Sequence, residues 1–113
     1  MKKVLLVLVV ALCCSSCGCG LYNWCDYEKT SFNYYKKQTP QTMGLLMLTY
    51  QTMINNQQHS KRKVVPPGIH AEFGYLLLKK GCKTEGIEQL NEEMDLYPES
   101  KTFISRIVKL AEQ

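Results

Sequence analysis

The sequence predicts an all-α fold, a small antiparallel stack of about five helices, on three observations. Apolar side chains recur at three- and four-residue intervals in five successive segments after residue 23. Pro40, the run Pro66-Pro67-Gly68, Gly81 and Pro98 punctuate those segments where helices would have to stop or start. No stretch alternates apolar and polar residues for long enough to make a strand.

The first helix is expected from Trp24, Tyr27, Ser31, Tyr34 and Tyr35, which share one face at 3.6-residue periodicity, and it should end before Pro40 because a residue preceding proline is driven out of the helical region. Thr39 followed by Pro40 reads as an N-cap and first helical residue of the second helix. Its face is Met43, Leu46, Met47, Tyr50, Met53 and Ile54. Leu45 and Leu48 lie off that face, so this helix is expected to be sandwiched between neighbours. The polar stretch Asn55 to Lys63 reads as one long loop, whose Lys61, Arg62 and Lys63 face either solvent or anionic headgroups.

Pro66, Pro67 and Gly68 restart the chain. Ile69, Phe73, Leu76 and Leu77 then mark a third helix, with Lys79 and Lys80 suiting the negative end of its dipole and Gly81 as its cap. A fourth carries Ile87, Leu90, Met94 and Tyr97 up to Pro98, and a fifth carries Phe103, Ile104, Ile107, Val108 and Ala111. Short turns between them favour antiparallel neighbours.

The start of the chain has a different character. Lys2 and Lys3 precede an apolar run from Val4 to Cys14 of 11 residues, well short of the roughly 20 needed to cross a bilayer, and Ser15 and Ser16 follow. That pattern reads as a removable leader over residues 1–16. Of 113 residues, 97 then remain, enough for one small domain, and the 14 basic side chains fall to 12 against 10 acidic. So mild a positive balance does not point to nucleic acid. Hydrophobic residues at 45% and charged residues at 21% exclude a disordered chain.

A cysteine directly after an apolar run and a small residue resembles the bacterial lipobox, in which the thiol is acylated with diacylglycerol and the peptide is cut before it. Cys17, preceded by Ser15 and Ser16, fits that pattern best; Cys13 and Cys14 sit inside the apolar run, and Cys19, preceded by Gly18, lies further out. Cys14 stands where the pattern usually has leucine. The resemblance implies a lipid attachment at Cys17, a tether over residues 17–22 and a helical domain over 23–113. Several acyl chains hold a protein stably where one is marginal. Gly18, not aspartate, follows Cys17, and by resemblance to bacterial sorting rules this implies the outer membrane, facing the periplasm.

The second half resembles a tetratricopeptide repeat. Counted from Pro67, the small positions of that 34-residue pattern fall on Gly74 and Gly86, its bulky position on Leu90, its turn on Gly81 and its late proline on Pro98, with Leu96 two residues before. The departures are Leu77 for tyrosine, Glu93 for alanine and Gly86 for alanine. The helix pair from Trp24 to Gln57 would be an eroded partner repeat, and the fifth helix would cover the end of the stack.

A wider resemblance covers nearly the whole mature chain. Leu21-Tyr22-Asn23-Trp24, Tyr27-Glu28, Tyr34-Tyr35-Lys36, Val65-Pro66-Pro67-Gly68-Ile69-His70-Ala71, Gly74-Tyr75-Leu76 and Tyr97-Pro98-Glu99-Ser100 are similar to an uncharacterised family of short bacterial lipoproteins. Where that family commonly has glycine after the tryptophan, this chain has Cys25. Members tend to be encoded beside a lipoprotein similar to the curli secretion-channel component, which implies a role in an outer-membrane assembly and no particular chemistry.

No catalytic or metal set emerges from the residues. His70 and Cys82 lack a third orienting partner and an oxyanion turn, and Cys25, Cys82, His59 and His70 lack paired ligand spacing, so neither an enzyme nor a metal or other cofactor is expected. His70 reads as a polar residue near a helix start and His59 as a loop residue. Glu88, Glu92, Glu93 and Asp95 read as an acidic patch on the outer face of the fourth helix. In an oxidising envelope Cys25 and Cys82 could form a disulfide worth about 2 to 4 kcal/mol, or remain two free thiols.

Two functions follow. One is a lipid-anchored adaptor that binds a protein partner through Tyr22, Trp24, Tyr34 and Tyr75, since aromatics supply large contact area at low entropy cost; Trp24 alternatively packs between helices. The other is a structural envelope lipoprotein without a specific groove. No small-molecule substrate is evident.

The anchor is directly testable. Cys17→Ser is expected to abolish lipid labelling and Cys19→Ser to leave it intact, read by mass spectrometry of the mature amino terminus; a lipidated peptide beginning at Cys19 would move the site.

Overall fold

The computed structural model describes residues 2–4 and 20–113. The expected acylation site Cys17, its competitor Cys19 and the rest of the expected leader lie outside the described residues. Within 20–113, five α-helices follow one another: α1 Tyr27–Lys36, α2 Pro40–Asn55, α3 Ile69–Lys80, α4 Lys83–Leu96 and α5 Lys101–Glu112, with 3₁₀ turns at Gln57–His59 and Pro98–Ser100. The described residues contain no strand. The fold is all-α, with the five expected helices in the expected order, and no helix among the described residues is long and apolar enough to cross a membrane.

Local chemistry sets the helix ends. Thr39 caps α2 reciprocally: its Oγ1 accepts from the Thr42 amide at 3.2 Å, and Thr42 Oγ1 accepts from the Thr39 amide at 3.0 Å. At the end of α3, Gly81 turns left-handed at φ 94°, so that the Cys82 amide reaches the Leu77 carbonyl at 2.8 Å and the Gly81 amide reaches Leu78 at 3.1 Å. These two bonds satisfy carbonyls that would otherwise be left without a partner.

Each helix packs on the next, α1 on α2 through α4 on α5. In addition α1 touches α3 at two points. Tyr27 bonds to Glu72, and Lys79 bonds to Tyr34, each pair 45 residues apart in sequence. A constant offset along both helices means that α1 and α3 run parallel. The core between them and α2 is built from Tyr34, Leu46, Tyr50, Met53, Ile69 and Phe73, with Val65 closing one end.

The backbones of α3 and α4 approach closely. A Cβ on Gly74 would stand 2.8 Å from the Gly86 carbonyl oxygen, and a Cβ on Gly86 would stand 2.9 Å from the Gly74 carbonyl oxygen. Only two glycines allow the backbones to meet there. Leu90, fully buried, fills the space beside Gly74.

Four expectations change. Glu93 does not belong to the acidic patch: it is 3% exposed, and its carboxylate accepts from the Gly68 amide at 2.7 Å and the Ala71 amide at 3.4 Å. Gly68, at the N-cap of α3, has no side chain to do this, so α4 supplies the cap and places a negative charge at the positive end of the α3 dipole. Leu45 and Leu48 are more than half exposed, so α2 is flanked by α1 and α3 on one side only. The span Asn55 to Lys63 is an organised connection, with the 3₁₀ turn followed by a turn in which Ser60 Oγ accepts from the Lys63 amide at 3.1 Å.

The fourth change concerns the start of the first helix, which begins at Tyr27 and so leaves out Trp24, and backbone contacts are made ahead of it. The Gly20 and Leu21 carbonyls accept from the Lys61 and Arg62 amides at 3.3 and 3.1 Å. Trp24 lies in a turn ahead of α1, its carbonyl accepting from the Tyr27 amide at 3.0 Å. Cys25 in that turn has φ 48°, a left-handed conformation that favours glycine.

Glu93→Ala is expected to leave both amides without their acceptor and cost about 2 kcal/mol, or roughly 10 °C in Tm, with Glu93→Gln costing less because one acceptor oxygen remains. Gly74→Ala should cost about 1 to 3 kcal/mol by forcing α3 and α4 apart. Thermal unfolding followed by circular dichroism checks both.

Candidate functional site

A seam of aromatic rings joins α1, α2 and α3. Centroid separations are 5.4 Å for Trp24 and Tyr27, 6.0 Å for Tyr27 and Tyr50, and 5.7 Å for Tyr50 and Phe73. The hydroxyls of this seam converge on one carboxylate. Tyr27 donates to Glu72 Oε2 at 2.7 Å and Tyr50 donates to the same oxygen at 2.8 Å. Burial, and then the bond to Glu72, push both phenols far above the ordinary tyrosine range, because either phenolate would face a carboxylate.

Beside this seam, α1 and α3 enclose a groove of about 240 Å³ with Tyr50 and Glu72 among its lining residues and Tyr35, Gln38, Tyr75 and Lys79 along its length. Tyr35 and Tyr75 are 63% and 53% exposed, so both rings present apolar surface at the rim of the groove. Lys79 stands between the two helices: its Nζ lies 5.7 Å from the Tyr75 ring centroid and 3.3 Å from the Tyr34 hydroxyl. A second depression of about 510 Å³ shares Tyr34, Gln38 and Lys79 with the groove and runs on to Pro40 and Met43 of α2. Aromatic walls, a cation and a floor whose polar groups already satisfy one another have the chemistry to accept a side chain or short segment that carries apolar groups beside an acidic one.

The four aromatics singled out from the sequence fall in different places. Tyr75 lines the groove. Tyr34 is a correction: at 4% exposure its ring is part of the core, since α1 turns that face toward α2 and α3, and only its hydroxyl reaches the groove through Lys79. Tyr22 and Trp24 lie ahead of α1, edge to face at 6.4 Å, with Trp24 46% exposed and not packed between helices. Tyr22 carries the Arg62 guanidinium 5.8 Å from its ring and lies beside the Tyr97 hydroxyl, which burial and then Tyr22 push up to about 12.

His70 is buried and its Nδ1 donates to Gln89 Oε1 at 2.7 Å, whereas Cys82 follows the far end of α3, about 18 Å away at helical rise, so the two do not form a pair. Cys25 and Cys82 are both free thiols. Among the described residues, no three His, Cys, Asp or Glu side chains gather where they could hold a metal ion. Sequence reasoning missed Tyr35, Glu72 and Lys79 as groove residues. Spacing held one clue, since Lys79 follows Tyr75 by four residues and so shares its face.

Residues 21–107 match the model of a family described as a domain of unknown function (DUF4810). No curated protein and no solved structure matches the chain.

Because the raised phenols favour the protonated form of the folded state, their contribution to stability is complete below the ordinary tyrosine pKa of about 10 and is lost as pH rises through the higher folded values. Alkaline unfolding should therefore begin above about pH 10. Glu72→Gln should bring the Tyr27 and Tyr50 titrations down toward the ordinary value, followed by tyrosinate absorbance.

Proposed function

The chain belongs to the DUF4810 family, and we propose that it is a lipid-anchored helical adaptor of the bacterial outer membrane, facing the periplasm, that binds a protein partner through the groove between α1 and α3. The partner class is an envelope protein such as a secretion-channel-like lipoprotein. The observation that carries this reading is the groove itself, where Tyr35 and Tyr75 are exposed on parallel helices around Lys79, while the polar groups beneath them are already paired. Its work is binding, with no reaction of its own, and it calls on no cofactor.

We read the helix order as tetratricopeptide-like, which would suit this role. On it, α1 with α2 and α3 with α4 are two helix hairpins, and α5 covers the end. The constant offset of 45 between α1 and α3 is what a 34-residue repeat gives when the link between hairpins is eleven residues longer, and residues 56–68 are such a link. Gly74 and Gly86 meet at the two small positions of that repeat. Groove-lining first helices are the usual binding surface of stacked hairpins. Anchoring at Cys17 would confine the groove to a thin layer, so that even a weak contact gains effective concentration with a co-anchored partner.

A structural envelope lipoprotein without a specific groove is the second reading, favoured by Phe103 and Leu110, which are exposed on one side of α5 away from the groove. Crosslinked capture of the full anchored protein separates the two. Tyr75→Ala combined with Lys79→Glu should reduce partner capture about tenfold or more with the helical signal and Tm held. Undiminished capture, with loss instead in Phe103→Ser and Leu110→Ser, would move the contact to α5.

A further inference from the structure

Three cations, Lys61, Arg62 and Lys63, stand exposed in one turn of the link between α2 and α3, which Ser60 closes by accepting from the Lys63 amide through both its carbonyl and its hydroxyl oxygen. This turn is bonded to the segment that leads to the expected anchor. The Lys61 amide donates to the Gly20 carbonyl at 3.3 Å and the Arg62 amide to the Leu21 carbonyl at 3.1 Å. Covalent reach then limits where the turn can be. Cys17 precedes Gly20 by three residues, which span at most about 11 Å even when fully extended. A diacyl group on Cys17 sits at headgroup level, so the three cations would lie within about one or two Debye lengths of the lipid surface.

Apolar side chains accompany the charges. Leu21 and Trp24 are about half exposed, and the Tyr22 ring links them to the turn, meeting Trp24 edge to face and carrying the Arg62 guanidinium. Cations beside a tryptophan and a leucine make the composition of an interfacial membrane contact, in which ammonium and guanidinium groups meet anionic headgroups and indole sits at the interface.

We propose that the Lys61-Arg62-Lys63 turn, with Leu21 and Trp24, is a docking face for an anionic lipid bilayer, which fixes the orientation of the anchored domain on the membrane. The inference rests on the anchored reading above and gives Tyr22 and Trp24 a lipid occupant distinct from the groove's. It also sets where the groove points. The turn and Trp24 precede the N-terminal ends of α3 and α1, which run parallel, so both helices rise from the membrane. Lys79 and Tyr34 lie about 10 Å further along them than Glu72 and Tyr27. The open groove is thereby held above the headgroups, within reach of a second anchored protein.

Trp24 is the single tryptophan of the chain and so reports this face directly. The full protein, as processed in a bacterial host, is reconstituted into vesicles of phosphatidylcholine alone or with about one third phosphatidylglycerol, and Trp24 quenching by interfacial doxyl lipid is followed with flotation. Quenching is expected to be strong in the anionic vesicles, to fall with added salt, and to be weak in the neutral ones. Lys61→Glu, Arg62→Glu and Lys63→Glu together should abolish the difference. Each cation near the surface is worth roughly a fivefold change in partitioning. Flotation with neutral vesicles reports the anchor separately, so loss of flotation there with salt-sensitive quenching in anionic vesicles would overturn the anchor and keep the lipid face. Equal quenching in both vesicles, or quenching indifferent to the triple variant, would overturn the docking face, as would an acidic protein partner that alone shields Trp24.

Discussion

The fold depends on the contact in which the backbones of α3 and α4 meet at Gly74 and Gly86. With no Cβ on either side, the helices approach until each glycine faces the other's carbonyl, and two consequences follow from that separation. Leu90 is carried fully into the interior. Glu93, one turn further along α4, comes within hydrogen-bond distance of the first amides of α3. A carboxylate at that depth would be costly without donors, and the start of α3 would be left with unsatisfied amides without an acceptor, so each defect is the other's remedy. An alanine in place of Glu93 would suit close packing but leave Gly68 uncapped.

Once α3 is fixed, Glu72 is fixed with it, and the second buried polar arrangement follows. Tyr27 and Tyr50 arrive from α1 and α2 with their hydroxyls on the same carboxylate oxygen, so one acidic side chain ties three helices together. The same bonds hold α1 in register against α3, seven residues before the Lys79 contact with Tyr34. The groove is the surface consequence of that register. Its rim residues Tyr35 and Tyr75 contribute little to the core, and their exposure sets them apart from Tyr34 and Tyr50, which look equivalent by residue type.

Charge and apolar surface are distributed with a direction along the α1 and α3 axes. Toward their N-terminal ends lie the basic turn, Trp24 and the backbone of residues 20 and 21. Toward their C-terminal ends lie Lys79, Gln38 and the wider depression beside α2. The proposed anchored adaptor would need this polarity, since a groove facing the bilayer would be closed to a protein partner, and one held at the far end of two parallel helices would be open to it.

Much of this was legible in the residues. Periodicity and the punctuation at Thr39-Pro40, Gly81 and Pro98 fix five helices and most of their ends, because helix start and stop signals act within a few residues and need no tertiary partner. Small residues at Gly74 and Gly86 marked the close approach for the same reason, through a spacing pattern. Other features depend on residues far apart in sequence. Trp24 shares the helical phase of Tyr27 and Tyr34 yet lies in a turn, because the chain bends left-handed at Cys25. Leu45 and Leu48 are exposed because no helix among the described residues covers the outer side of α2, which periodicity alone does not reveal. Glu93 resembles its surface neighbours Glu88 and Glu92 in type, and only the arrival of Gly68 from 25 residues away turns it into a buried cap. The pairing of residues 20 and 21 with the basic turn is likewise a long-range backbone contact, carried by amides and carbonyls that every residue possesses, and for that reason no side chain in the sequence announces it.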